Sequence, residues 1–175
     1  MLGNDTNGDC VVAATEHLEM IHHLATTSSW KRLLYRLGFK PPSTKFTLAL
    51  YNEFLKSQGQ APNTGIDPAN WFVWLKANGI ITDYKQVSLD AVEQALIDWK
   101  GCLLGLELTP TAYNGTFGNV PWEIGPGDVP NPNLFHAVAL VTYNTTDYGC
   151  VTWGRMKSMT NEFFTTCAFG CWVFK

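Results

Sequence analysis

Cys10 stands where a thiol gains chemistry from the backbone around it. The segment Asn4-Asp5-Thr6-Asn7-Gly8-Asp9 is built of turn-formers and runs directly into Cys10-Val11-Val12-Ala13-Ala14, which reads as a helix with Asp9 as its N-cap. A thiol in the first helical turn faces unpaired backbone N–H groups and the positive end of the macrodipole, both of which favour thiolate over thiol. The plain alternative is a small buried residue at a helix start, so the choice falls to whether a base lies near. His17 is seven residues along the same helix, about 10 Å away, and His22 and His23 are farther still. These read as a core or second-layer residue and two surface residues. His136 remains, at the head of the apolar run Ala137-Val138-Ala139-Leu140-Val141 and directly after a long Gly/Pro-rich segment, placed as a general base needs to be. A hydrogen-bonded histidine at a strand end is its plain alternative.

Four features in chain order resemble the papain-like cysteine peptidase superfamily: Asn4 six residues before Cys10, Cys10 opening a helix, the strand start His136-Ala137-Val138, and the pair Trp153-Gly154 after the next strand. The stretch Asp67 to Ile80 is similar to the helix which that family carries ahead of its central crossover, and Leu89 to Leu108 to the helix and strand that follow. The Gly-Asn-Asp…Gly-Asp-Cys opening also resembles that of small papain-like proteins encoded by bacteriophages. The resemblance implies a single papain-like domain over 1–175. Cys10 would be the nucleophile, His136 the general base and acid, and Asn4 the side-chain donor of an oxyanion hole completed by the Cys10 N–H. Trp153 would shield the base. An amide and a helix-terminal N–H stabilise a developing oxyanion by a few kcal/mol.

Two positions depart from the family pattern. Asn4 stands where Gln is common, one methylene shorter. The orienting Asn or Asp, about sixteen residues after the histidine and two before the Trp, is missing from Val151-Thr152-Trp153-Gly154. Val151 cannot accept from an imidazole; Thr152 can through its hydroxyl, given the right strand register. The third member orients the base rather than making bonds, so its loss slows such enzymes without always silencing them. The resemblance therefore implies a thiol hydrolase that cleaves a peptide bond through a Cys10 acyl-enzyme. Its alternatives are an idle papain-like scaffold kept for structure or binding, for example in a virion, and a peptidoglycan amidase or endopeptidase. The expected partner is a peptide or a peptidoglycan peptide, with no cofactor and no metal.

The elements that must position these residues follow from periodicity and punctuation. The first helix carries a stripe at 10, 14, 17, 21 and 24. A second helix is expected from about Thr44 to Lys56. A third has Asp67 as cap, Pro68 in its first turn, Trp71, Trp74 and Leu75 on one face and Gly79 past its end. A fourth begins near Ser88 and stops at Gly101. The period then becomes strand-like: Cys102 to Leu108, Phe135 to Tyr143 and Cys150 to Trp153, with Asn144-Thr145-Thr146-Asp147 turning between the last two. Met159 to Lys175 reads as a helix turn and a final strand. Helices first and strands after predict an α+β domain with a mostly antiparallel sheet.

The long segment Thr109 to Leu134 is of the kind that carries function. Its aromatics Tyr113, Phe117 and Trp122, with Phe135 beside it, form a candidate groove wall next to His136, Trp122 and Trp153 being the expected substrate contacts; anchoring the loop to the sheet is the equal alternative. Glu123 and Asp128, its only acids, are candidates to replace the absent orienting residue.

Composition excludes other classes. The 175 residues are 46% hydrophobic and 15% charged, which suits a folded chain and not a disordered one. Twelve Lys and Arg against fifteen Asp and Glu give a net charge of −3, with no basic stripe to meet a run of phosphates, so nucleic acid is not an expected partner. No apolar run is long enough for a bilayer, and Met1-Leu2-Gly3-Asn4-Asp5 does not read as an export signal; a cytoplasmic or virion-associated protein without membrane contact is expected. Five cysteines, an odd count, argue against a disulfide framework. Cys102 and Cys150 read as small buried hydrophobes. Cys167 and Cys171, four apart, would share a helix face, but no second ligand pair accompanies them.

Overall fold

A computed structural model describes residues 2, 7–26, 43–115, 118 and 120–175, with the backbone alone for 23–26. Its first helix, α1 (Cys10–Thr26), begins at the expected residue. Next come α2 (Thr44–Ser57) and α3 (Pro68–Ala77), each capped by a side chain: Ser43 Oγ accepts from Phe46 N, and Asp67 Oδ1 from Ala69 N at 2.7 Å. A short strand β1 (Tyr84–Val87), a 3₁₀ turn at Leu89–Ala91 and α4 (Val92–Trp99) follow, and Lys100 in the left-handed region ends the helix before Gly101.

The remaining elements are β2 (Cys102–Glu107), α5 (Pro110–Asn114), β3 (Phe135–Tyr143), β4 (Asp147–Thr152), β5 (Arg155–Thr160), α6 (Asn161–Cys167) and β6 (Ala168–Phe174). Six strands form one sheet in the order β1-β6-β2-β3-β4-β5, antiparallel at every junction. The α+β class with an antiparallel sheet is as expected. Periodicity did not reveal β1, half-exposed at the sheet edge, nor β5, whose inward positions are Lys157 and Met159. Cys167 closes α6 while Cys171 lies in β6, so the two share no helix face. All five cysteines are free and buried.

The sheet separates two core layers, and strand alternation decides which residue enters which. Ala137 and Ala139 of β3 join Cys10, Val11, Leu18, Tyr51, Trp71 and Trp172 on the α1 side. Val138 and Leu140 join Leu104, Trp122, Cys150 and Phe163 on the other. The start of α1 is wrapped by β3 on one side and α2 on the other, which is why Cys10 to Glu16 are all buried and a single stripe understates its contact. Fully burying a side chain such as Leu18 contributes about 1.5–3 kcal/mol.

Candidate functional site

The turn into α1 is shaped by close packing. A Cβ on Gly8 would come within 2.9 Å of the Asn63 carbonyl oxygen, so the turn before the thiol rests against the 63–65 backbone. The first turn of α1 is then tied inward: Thr15 Oγ1 donates to the Val11 carbonyl at 2.8 Å, and Trp71 Nε1 donates to Thr15 Oγ1 at 3.0 Å. Cys10 itself is only 6% exposed. Burial pushes its thiol up to about 11 and the Asp9 charge adds to this, while the amides of Ala137, Val11 and Cys10 itself pull in the opposite direction. The sulfur thus sits at the backbone N–H of Ala137, the residue that follows His136. This approach is possible because the β3–β4 ladder begins only at Ala139↔Val151, beyond which the strands part.

His136 occupies the second position of β3, opposite Leu106, and is 4% exposed. Its Nε2 lies 2.7 Å from Thr152 Oγ1, sixteen residues on. Val151 pairs with Ala139 and packs on the α1 layer, so alternation turns Thr152 toward the imidazole. The ring stacks on Trp153 with centroids 4.0 Å apart and 8° between planes, and Trp122 meets it edge-on at 6.3 Å. This aromatic box excludes water, and burial alone drives His136 down to about 3. Trp153 (φ 45°) and Gly154 (φ 71°) are both left-handed, as the two-residue hairpin joining β4 to β5 requires. An aromatic residue rarely adopts that backbone, at a cost of about 1–2 kcal/mol, and here it lays the indole flat on the imidazole.

In the tautomer that carries its hydrogen on Nε2, toward Thr152, Nδ1 offers a lone pair for a proton; in the other, Nε2 accepts from the Thr152 hydroxyl. Both groups are neutral at rest, since the thiol titrates far above and the imidazole far below pH 7. No standing thiolate–imidazolium pair is held: Cys10 packs in the α1-side layer, whereas the His136 ring lies against Thr152, Trp122 and Trp153 on the other face of β3, and among the described residues no contact joins sulfur and ring.

The other expected residues fall as follows. Asn4 and Phe117 lie outside the described residues. Trp122, expected at a groove wall, is 2% exposed; its Nε1 donates to the Ala112 carbonyl and its ring stacks on Phe163, so it supports the His136 ring from beneath. The loop acids do not replace the orienting residue. Asp128 accepts from Thr111 Oγ1 and Gly125 N and organises the loop itself, and Glu123 is exposed. His17 is half-buried, and His22 packs on Phe174 at 5.4 Å rather than lying on the surface. Two contributors escaped the sequence. Lys157, 4% exposed, donates to the carbonyls of Gly115 and Gly118 and lies 5.7 Å over Trp122, pinning the long loop to the box. Tyr51 is buried beside Asp9 and Cys10, whose charges add to burial in raising its phenol to about 12. An inward lysine on an edge strand was the only available signal for the first, and none existed for the second.

A groove of about 570 Å³, a size that suits a small ligand group, opens on the α1 side of the sheet between Ile66, Pro68, Pro132, Phe135, Phe169 and Trp172. Its floor exists because Gly105 and Gly170 face each other across β2 and β6, leaving bare backbone on which the Phe169 and Trp172 rings lie. Phe135 precedes His136 in β3, so alternation turns Phe135 to the groove and the imidazole to the other face of the strand. Among the described residues no helix is long and apolar enough to cross a membrane. Compared with models of known protein families and with curated proteins, the chain matches none.

Proposed function

We propose that the protein is a papain-like cysteine hydrolase acting on an amide bond of a peptide. The observation that supports this reading is the Cys10 sulfur at the Ala137 amide, one residue along β3 from His136, whose Nε2 meets the Thr152 hydroxyl; the proton transfer below requires the ring to reach the sulfur. The sulfur attacks the carbonyl carbon, forming S–C as its proton passes to His136 Nδ1. The Cys10 N–H at the helix start is aimed at the developing oxyanion, with Asn4 as the expected second donor. Collapse breaks C–N, and the imidazolium returns its proton to the leaving amine. Water then resolves the thioester by the same route in reverse. The groove beside Phe135 gives the substrate chain an apolar seat next to the reacting bond. Thr152 takes the orienting role with a neutral hydroxyl, which stabilises imidazolium less than a carboxylate does.

Acylation of the folded protein by p-nitrophenyl acetate tests the reading. A burst of one p-nitrophenol per chain is expected, with the acetyl group on Cys10 by mass spectrometry and no burst in Cys10→Ala. A burst that survives in Cys10→Ala refutes it. A second reading, an idle scaffold of the same shape, is favoured by the burial and neutrality of Cys10 and His136; absence of any acylation in the native protein would select it.

A further inference from the structure

Tyr51 reaches the candidate nucleophile from a separate helix, through a chain of contacts no sequence motif marks. Its ring is 1% exposed within the core layer that holds Cys10. Its hydroxyl donates to the Thr64 carbonyl at 2.9 Å. That carbonyl belongs to a tight turn closed by Thr64 Oγ1 on the Ala61 carbonyl at 2.7 Å, in which Asn63 is left-handed with φ 62°. The same turn is the surface against which Gly8 packs, a Cβ there falling 2.9 Å from the Asn63 carbonyl oxygen and 3.4 Å from the Gly65 nitrogen. Gly8 leads through Asp9 into Cys10. One phenol is thus hydrogen-bonded to the 61–65 turn, and the chain just before the thiol and the helix-start N–H groups packs against that turn.

We infer that Tyr51 is a positioning residue for Cys10, setting the aim of the helix-start amides through the 61–65 turn rather than touching substrate. This rests on the hydrolase reading for its chemical consequence but not for its structural one. The physical basis is that oxyanion stabilisation depends steeply on donor placement, whereas alkylation of the same sulfur forms no oxyanion. Displacing the turn should therefore slow acylation far more than alkylation, while a general loss of folding would affect both together.

The experiment compares wild type with Tyr51→Phe, which keeps the ring and removes the donor. Acylation of Cys10 by p-nitrophenyl acetate should fall about tenfold relative to its alkylation by iodoacetamide, in protein whose thermal midpoint shows it is folded. Asn63→Gly, which loosens the same turn from its other side, should produce the same skew, and the double variant should be no worse than the more affected single one. An unchanged acylation-to-alkylation ratio in Tyr51→Phe, or additive effects in the double variant, overturns the inference. The backbone amide resonances of Gly8, Asp9 and Cys10 should also shift in Tyr51→Phe. Those shifts in a protein that is never acylated would uphold the positioning and sink the hydrolase reading; their absence would sink the positioning alone.

Discussion

Replacing Thr152 by Val removes one oxygen and almost no volume, and it isolates the contact between that hydroxyl and the imidazole. Thr152 Oγ1 and His136 Nε2 are 2.7 Å apart and both residues are almost fully buried, at 3% and 4% exposure. Deleting the hydroxyl leaves a ring nitrogen unpaired where water does not enter, which costs about 1–3 kcal/mol. In a domain of this size each kcal/mol lowers the melting temperature by roughly 2–4 °C, so a drop of several degrees is expected. The chemical effect is separate. On the proposed mechanism an imidazole free to turn between Trp153 and Trp122 serves the thiol less well, so acylation of Cys10 at pH 7 should fall at least tenfold. The gap should narrow as the pH is raised toward 11, because hydroxide then ionises the thiol without help from the ring. Thr152→Ser should restore both rate and melting temperature. Stopped-flow release of p-nitrophenol across pH, with calorimetry of each variant, makes the measurement. Wild-type rates in Thr152→Val, or a deficit equally deep at pH 7 and pH 11, would refute the orienting role.

Acid should weaken the fold through His136. Held at about 3 against an ordinary 6.5, it stays neutral below pH 6.5 while the unfolded chain takes up a proton, so stability is lost as pH falls from there toward 3, by roughly 5 kcal/mol at the limit. Glu16, raised to about 7 by burial and by Glu19, works in the opposite sense between pH 7 and 4.5, so urea melts of His136→Gln beside wild type are needed to extract the difference. Equal pH slopes in the two proteins would contradict the burial of the ring. Trp153→Asn should relieve about 1–2 kcal/mol of left-handed strain yet open the aromatic box, and NMR titration should find His136 moving up from about 3 toward the ordinary value. Gly8→Ala should lower stability by about 1–3 kcal/mol in urea melts and slow acylation, since its new methyl meets the Asn63 carbonyl oxygen at 2.9 Å; an unperturbed variant would show that the turn has slack.

The sequence by itself determined the elements whose cause is local. The Asp67-Pro68 start of α3, the Gly101 stop and the Phe135–Tyr143 run each carry their own signal in caps, breakers and period, and each stands where those signals place it. Cys10 at a helix start and His136 at a strand head were legible for the same reason. The tertiary structure alone decided what depends on register and on partners distant in the chain. Thr152 could be judged only once the β3–β4 ladder turned it toward the ring, because a shift of one residue would have presented Val151 instead. The edge strands β1 and β5 exist through their pairing with β6 and β4, not through a pattern of their own. Trp122 reads in sequence as an aromatic on a loop, yet Lys157 and Phe163 hold it beneath the imidazole. The ionisation of Cys10 and His136 likewise came from burial. A helix start favours thiolate in isolation, but removing both groups from water reverses that preference and leaves the pair neutral.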